Sequence, residues 1–301
     1  DNFRTMLFDF TDNGLIAVGN DIFIWGHFKC IYLKGTNWIE NLSHVKFDGQ
    51  IDSIKSTTNG SMILSNGYVF LMSDSYITKF FIKNEFLSNI SIIDSSSSYY
   101  LAIEENKIYV WGLYVYGSKF CYAEPHKTEI DCNYIYATAC CRTRMVMLTD
   151  TGLWILGNYG TNNYHDLPEK LDFDDYTSSM QVKCNDDQII LATSDKIYVN
   201  YKGRKFNKIK NDFTNPKIFS GYDVNYMYIL LDNKIYKIEG LQITKQINDI
   251  DDTIIDILYS KDNMLVVCQN SVYCKGKNKN IELGLGHCNE VDDFMVHEFL
   301  N

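Results

Sequence analysis

A hairpin pattern that recurs seven times along the 301 residues constrains the fold more than any other feature. Each copy has an apolar run, a short polar turn such as Asn66-Gly67, and a second apolar run with an aromatic residue at its centre. Short apolar runs on either side of such a turn are typical of a β-hairpin. The predicted hairpins cover residues 15–26, 62–73, 100–112, 145–157, 189–201, 227–239 and 264–276.

The spacing of the hairpins indicates their architecture. Their central aromatic residues lie 37 to 47 positions apart and are Phe23, Phe70, Tyr109, Trp154, Tyr198, Tyr236 and Tyr273. Further strand-like runs lie between hairpins, for example at 91–94, 134–138, 180–183 and 254–258. Four strands in a repeat of about 40 to 45 residues are typical of a propeller blade. The sequence therefore predicts an all-β fold, a seven-bladed β-propeller that occupies residues 1–301 as a single domain. The alternative, a helical repeat, is opposed by short runs rich in β-branched and aromatic residues.

Both ends of the chain also fit the repeat. Residues 3–10 resemble the run that precedes each hairpin, and residues 294–300 resemble the strand that follows one. We therefore predict that the N- and C-terminal strands pair within one blade and close the propeller, which would remove exposed strand edges.

Charge and composition limit the partners. A formal net charge of −10 argues against a chain that neutralises nucleic-acid phosphates, so we predict no direct nucleic-acid partner. The apolar runs are about half as long as the roughly 20 residues that cross a bilayer, which predicts a soluble protein without membrane contact. Nine cysteines, an odd number without Cys-x-x-Cys spacing, favour a reducing compartment, the cytoplasm or the nucleus.

The last repeat resembles that of a known family. Lys275-Gly276-Lys277-Asn278, followed by Leu283-Gly284-Leu285-Gly286, is similar to the repeat of the regulator of chromosome condensation family. Trp25-Gly26, Trp111-Gly112 and the fourth repeat add partial matches, whereas repeats two, five and six retain the hairpin alone. The resemblance implies a seven-bladed propeller and, as an activity, nucleotide exchange on a small GTPase of the Ran type.

Motifs for catalysis or metal binding are weak. Cys268, Cys274, His287 and Cys288 suggest a zinc site, but strand cysteines are more commonly small buried apolar residues. Gly284-x-Gly286 lacks the third glycine, the strand and the helix of a dinucleotide-binding motif. We predict no cofactor, no metal and no catalytic residue, while an enzyme assembled from scattered loop residues stays an open alternative.

Acidic residues recur at one phase of the repeat. They precede the central aromatics by 22 to 24 positions and are Asp1, Asp48, Glu85, Asp131, Asp175, Asp212 and Asp251. In a blade of antiparallel strands, the loop that holds them emerges at the same end as the tight hairpin turn. We predict that Asp48, Glu85, Asp131, Asp175, Asp212 and Asp251 form a partner-binding surface. The alternative is that Asp is simply favoured in turns.

The loops at the other ends of the strands are predicted to be basic, with Asp186 and Asp187 as interruptions. Their basic residues are Lys29, Lys34, Lys119, Arg142, Arg144, Arg204, Lys205, Lys277 and Lys279. Together these patterns predict a macromolecular interaction module that binds a protein partner, basic in charge, through one face of the propeller. The alternative is a guanine-nucleotide exchange factor for a Ran-type small GTPase.

Overall fold

The computed structural model describes residues 6–10, 13–29, 36–58, 60–72, 81–112, 122–159, 164–203, 205–209, 214–221, 224–245, 250–279 and 282–297. In these residues the chain forms seven four-stranded sheets, in each of which the strands follow one another in chain order. Each sheet is therefore one blade, and the predicted all-β, seven-bladed β-propeller is confirmed. No helix long and apolar enough to cross a membrane occurs in this described part.

The chain divides into two compact units, residues 1–104 with 252–301, and residues 105–251. The blades are numbered here in chain order. The first unit contains blades 1, 2 and 7 and the first two strands of blade 3. Its strands are β1 (Met6–Phe10), β2 (Asn13–Val18), β3 (Asp21–Lys29), β4 (Thr36–Lys46), β5 (Ser53–Thr57), β6 (Gly60–Ser65), β7 (Tyr68–Met72), β8 (Phe81–Lys83), β9 (Ile92–Ser95), β10 (Tyr99–Glu104), β25 (Ile254–Tyr259), β26 (Asn263–Cys268), β27 (Val272–Gly276) and β28 (Val291–Val296).

The second unit contains the last two strands of blade 3 and all of blades 4, 5 and 6. Its strands are β11 (Lys107–Gly112), β12 (Tyr122–Glu129), β13 (Ile135–Cys140), β14 (Arg144–Thr149), β15 (Gly152–Asn158), β16 (Tyr164–Lys170), β17 (Gln181–Cys184), β18 (Gln188–Ala192), β19 (Ile197–Tyr201), β20 (Asn207–Lys208), β21 (Lys217–Ser220), β22 (Met227–Leu231), β23 (Lys234–Glu239) and β24 (Gln242–Lys245). The single-domain organisation stays a prediction.

All seven predicted hairpins are confirmed as the second and third strands of the blades. Several of the second strands are buried along their whole length, so both of their sheet surfaces are covered, which explains their nearly continuous apolar sequences. In β14 and β18, for example, every residue is buried. The four strand-like runs predicted between hairpins correspond to β9, β13, β17 and β25.

The predicted central aromatics are less buried than their neighbours in the chain. Trp154 is half-buried, and its Nε1–H donates to Thr151 Oγ1 at 3.1 Å, whereas Leu153 and Ile155 on either side are fully buried. Because strand side chains alternate between the two surfaces, the aromatic marks the strand centre but not its more deeply buried side.

The prediction that the N- and C-terminal strands pair within one blade is wrong. Strand β1 pairs with β2 in blade 1, and β28 pairs with β27 in blade 7. The 11-residue strand β4 is the fourth strand of blade 1. The four strands of this blade therefore all come from the N-terminal part of the chain. The first and last blades instead meet side by side, with β1 against β25.

Trp25 fills the seam between the first and last blades. Its indole is fully buried in one apolar cluster with Leu265, Cys274, Leu283, Leu285 and Val291, all from the blade 7 segment. The indole Nε1–H donates to the carbonyl oxygen of Glu282 at 2.8 Å. Both an apolar contact and a buried hydrogen bond therefore join the two blades.

Two glycines make room for the Trp25 ring. Gly14 lies opposite Trp25 in the β2–β3 register, and a Cβ at that position would overlap the indole. A Cβ on Gly284 would lie 2.9 Å from the ring, and Gly284 has φ +70°. The indole is thus held between two positions that accommodate no larger side chain without rearrangement.

We expect Trp25→Ala to lower the free energy of unfolding by about 3–5 kcal/mol, the usual cost of removing a fully buried large aromatic side chain. Trp154→Ala is the matched control and should cost roughly 1–2 kcal/mol, because much less apolar area leaves a buried environment. Urea unfolding followed by circular dichroism measures both. Equal losses for the two variants would contradict the importance of the blade 1–blade 7 seam.

Candidate partner-binding site

Two kinds of connection lie at the same end of each blade. A hairpin turn joins the second and third strands, and a linking loop joins the last strand of one blade to the first strand of the next. We call this end the hairpin end. The predicted acidic residues belong to the linking loops.

The structure places five of the six predicted site residues. Asp48 and Glu85 are exposed in linking loops of the first unit, and Asp131, Asp175 and Asp251 are exposed in the second. Asp212 lies outside the described residues, as does Asp1.

In the first unit, neighbouring acidic residues tie the linking loops to the hairpin turns. Asp52 Oδ2 accepts a hydrogen bond from the backbone N–H of Asn66 at 2.7 Å. Asp252 accepts from the backbone N–H of Asn270 at 2.9 Å and from its side-chain amide at 3.0 Å. These carboxylates therefore have a structural role at the hairpin end.

In the second unit a hydrogen-bonded carboxylate also joins a linking loop to a hairpin turn, but here the carboxylate belongs to the turn and the donors belong to the loop. Asp150 belongs to the hairpin turn, and its carboxylate accepts from the Asn133 side chain at 2.8 Å and from the backbone N–H groups of Asn133 and Tyr134 at 3.0 and 3.2 Å. The hydrogen bond from the Asn133 side chain is the main reason that the pKa of Asp150 lies below its ordinary value of 3.8. Loop and turn are thus joined through one carboxylate.

Of the predicted site residues, Asp175 is also anchored. Its Oδ2 accepts a hydrogen bond from the hydroxyl of Tyr198 at 2.9 Å. Tyr198 is the central aromatic of its hairpin and is 5% exposed. A buried tyrosine therefore fixes the position of an exposed carboxylate.

The sequence pattern did not separate the anchoring carboxylates from the exposed ones. Asp252 follows Asp251 directly, and Asp52 lies four positions after Asp48. An asparagine in the facing turn or loop, such as Asn133 or Asn270, whose side-chain amide donates to the carboxylate, is the signal that could have identified part of the anchoring set.

Exposed aromatic residues accompany the acidic ones. Phe86, next to Glu85, is 69% exposed, and Tyr134, three positions after Asp131, is 64% exposed. Aromatic side chains are enriched among the residues that dominate protein–protein binding energy. Each unit therefore presents an acidic and an aromatic side chain together at its hairpin end.

The predicted basic loops at the opposite ends are only partly as expected. Arg144 lies inside β14 and is buried, which is a correction to its predicted loop position, and its guanidinium donates to the carbonyl oxygen of Asp186. Arg142 pairs with the Asp186 carboxylate at 2.7 Å, and Lys277 pairs with Asp262 at 3.1 Å. Lys34, Lys119 and Arg204 lie outside the described residues.

The residues that carried the family resemblance have structural contacts. Asn278 is fully buried, donates to the carbonyl oxygens of His287 and Asn289, and accepts from the Leu283 N–H at 3.0 Å. These bonds shape the loop that places Leu283 and Gly284 against Trp25. The motif therefore stabilises the junction of the first and last blades.

The cysteines that suggest a zinc site in the sequence lie in different environments. Cys274 is buried in the cluster around Trp25, Cys268 is buried, and Cys288 is exposed. Burial raises the pKa of both buried thiols to about 11, so they are protonated at neutral pH. Among the described residues, no three His, Cys, Asp or Glu side chains are grouped in a way that could hold a metal ion.

Solved structures define the class to which this fold corresponds. The chain resembles Prp20p from Saccharomyces cerevisiae with a TM-score of 0.68 and 12% identity, over 97% of this chain and 87% of that one. Prp20p is a yeast RCC1 protein, and its binding properties to Gsp1p and histones were characterised together with its structure. The predicted resemblance to propellers of the regulator of chromosome condensation type is confirmed at the level of the fold.

Other solved structures are similar to a lesser degree. Human WBSCR16 gives a TM-score of 0.54 with 12% identity over 98% of this chain and 83% of that one. Kluyveromyces lactis Hsv2 gives 0.57 with 10% identity over 98% of both chains. No protein-family model and no curated protein sequence matches the chain.

We expect Asp150→Asn to reduce the loss of stability in acid. Because the folded-state pKa is lowered, the ionised carboxylate contributes stability above its unfolded pKa of about 3.9, and this contribution is lost as the pH falls through the folded value. The urea midpoint of the variant should therefore change less than that of the parent as the pH is lowered from neutral through the titration of this carboxylate.

Asp131→Asn is the control, since it removes the same charge from the linking loop that faces Asp150. It should retain the acid dependence of the parent protein. An unchanged acid dependence in Asp150→Asn would contradict the role of this carboxylate in joining loop and turn.

Proposed function

We propose that this chain is a non-enzymatic interaction module that binds a basic protein partner through the hairpin ends of its blades. The observation that carries the proposal is the exposure of Asp48, Glu85, Asp131 and Asp251 at equivalent positions of the repeat. We keep Asp212 in the proposed set by its position in the repeat.

The acidic residues at the hairpin ends have two different roles, and this difference supports the proposal. Asp52, Asp150 and Asp252 already hold the turns and loops together, so turn chemistry accounts for them. For the exposed carboxylates, no hydrogen bond to a turn is present among the described residues. Like charges at the hairpin end of one unit repel one another, and a basic partner would relieve that repulsion.

The exposed aromatic residues can slow dissociation of a partner, which charge alone does little to do. Complementary charge mainly accelerates encounter, whereas buried aromatic anchors slow dissociation. Phe86 beside Glu85 and Tyr134 near Asp131 offer apolar contact next to acidic groups. The reported study of histone binding by the structurally similar Prp20p is consistent with a basic partner, because histones are rich in lysine and arginine.

We keep a cytoplasmic or nuclear location as part of the proposal. The described cysteines, at positions 132, 140, 141, 184, 268, 274 and 288, form no disulfide bond with one another, which agrees with a reducing compartment.

The test of the acidic surface uses a lysine-rich histone tail peptide as the basic probe. We expect the combined variant Asp48→Asn, Glu85→Gln, Asp131→Asn and Asp251→Asn to slow association about tenfold at low salt and to flatten its salt dependence. Stopped-flow fluorescence at several ionic strengths measures both effects, and thermal melting should change little.

The control variant removes four exposed acidic groups from outer strands or the opposite ends, namely Glu124→Gln, Glu290→Gln, Asp292→Asn and Asp293→Asn. It makes the same change in net charge. If this control slows association as strongly as the first set, binding depends on net charge alone and the proposed surface is wrong.

A second candidate function is nucleotide exchange on a Ran-type small GTPase. The similarity to Prp20p, whose binding to Gsp1p has been characterised, is the observation that favours it. Release of a fluorescent guanine nucleotide from purified Ran is the deciding measurement. Acceleration by catalytic amounts of this chain would favour exchange, and an unchanged release rate would favour the interaction module.

A further inference from the structure

A groove of about 760 Å³ opens at the hairpin end of the second unit. Its walls are the linking loop that precedes β17, the β18–β19 hairpin turn and the linking loop that precedes β21. A volume of this size lies within the range of typical ligand pockets, about 300–1,000 Å³. The groove can therefore hold a side chain together with part of its backbone.

Hydrogen bonds between the walls hold the groove in shape. Gln181 donates to the carbonyl oxygen of Pro216 at 2.7 Å and accepts from the backbone N–H of Ile218 at 3.0 Å. The backbone N–H of Asn215 donates to the carbonyl oxygen of Ser194 at 2.7 Å. Blades 5 and 6 are thus joined through residues that line the groove, so the groove exists before a ligand arrives.

Two carboxylates in the groove are oriented by neighbouring hydroxyl groups. Tyr198 donates to Asp175 Oδ2 at 2.9 Å, and Thr193 donates to Asp195 Oδ1 at 2.9 Å. Burial, and then the hydrogen bond to Asp175 and the charges of Asp175 and Asp195, raise the pKa of Tyr198 to about 12. The tyrosine hydroxyl therefore stays protonated at neutral pH and continues to donate to Asp175.

Each of these carboxylates has one oxygen left for a ligand. Among the described residues, no hydrogen bond to Asp175 Oδ1 or Asp195 Oδ2 is present. Both side chains are exposed, and both are close enough to Tyr198 for their charges to act on its hydroxyl. The site therefore offers two fixed anionic acceptors from two different wall segments.

We propose that this groove binds a single arginine side chain presented by a protein partner. The planar guanidinium carries several N–H donors in fixed directions, so it can donate to more than one acceptor, whereas an ammonium group acts as one compact charge. Tyr176 is half-buried and lines the same groove, and an aromatic ring attracts a cation placed over its face.

Two lysines that line the groove disfavour ligands with several adjacent positive charges. Lys196 and Lys217 line the same groove as Asp174, Asp175 and Asp195. Their positive charges would repel a continuous run of basic residues. The groove is therefore suited to one arginine among neutral or acidic neighbours.

This inference rests on the proposed function, because it assigns part of the same hairpin ends a defined ligand. The probe is a capped Gly/Ser peptide with one central arginine, and the comparison peptides carry lysine or the neutral isostere citrulline at that position. Isothermal titration calorimetry with the full chain measures binding. We expect the lysine peptide to bind about tenfold more weakly than the arginine peptide and the citrulline peptide more weakly still.

Variants of the protein separate the groove from the rest of the acidic surface. Asp175→Asn with Asp195→Asn should weaken binding of the arginine peptide at least about tenfold, the effect of losing one charge-assisted contact or more. Asp131→Asn with Asp251→Asn removes the same charge from the second unit outside the groove and should weaken it less than about twofold. Tyr198→Phe retains the buried ring, and it should weaken arginine binding by freeing Asp175.

Equal weakening by the two double variants would overturn the groove while leaving the acidic surface intact. Equal binding of the arginine and citrulline peptides, or no binding of the arginine peptide to the parent protein, would also overturn it. If the groove variants lose arginine binding while the four-residue variant of the surface leaves histone-tail association unchanged, the broader proposed surface fails and the groove stands.

Discussion

The packing of Trp25 against the last blade replaces the covalent link that the other blades possess. Consecutive blades are joined by a linking loop, so the chain itself limits how far they can separate. Blades 1 and 7 are not consecutive and share no sheet, so their contact depends on noncovalent interactions. The buried indole, its hydrogen bond to the Glu282 carbonyl and the close approach of Gly284 supply that contact. The arrangement explains why a Gly-containing segment of the last repeat is bound to a Trp-containing strand of the first.

The local part of the fold could be predicted because a hairpin is encoded by neighbouring residues. Apolar runs, short polar turns and regular spacing located all seven hairpins, and the spacing predicted the number of blades. The way in which the first and last blades meet could not be predicted, because it depends on which distant segments pair. The C-terminal segment has strand character in either arrangement, and only the presence of β4 settles that it remains in its own blade.

The same distinction explains what could be predicted of the candidate site. The acidic residues recur at one phase, and five of them are exposed in linking loops as expected. Their neighbours Asp52 and Asp252 lie in the same loops yet accept hydrogen bonds from turns that are 14 and 18 residues away in sequence. Both groups are acidic residues of the linking loops, so the difference between an anchoring and an exposed carboxylate arises from contacts formed on folding. The preference of Asp for turns accounts for the anchoring carboxylates. It does not account for the exposed ones.

Asp175 belongs to both groups, and this is why the groove differs from the rest of the acidic surface. An isolated exposed carboxylate must lose side-chain freedom when it binds, which offsets much of the gain from a surface ion pair. Tyr198 has already fixed one oxygen of Asp175, and Thr193 has done the same for Asp195. The loss of conformational entropy of these two side chains therefore occurs when the protein folds and not when it binds a ligand. Tyr198 is also part of the apolar core of the second unit. Charge alone would attract any cation to this end of the blades, whereas two preorganised carboxylates on rigid walls favour a ligand with matching geometry.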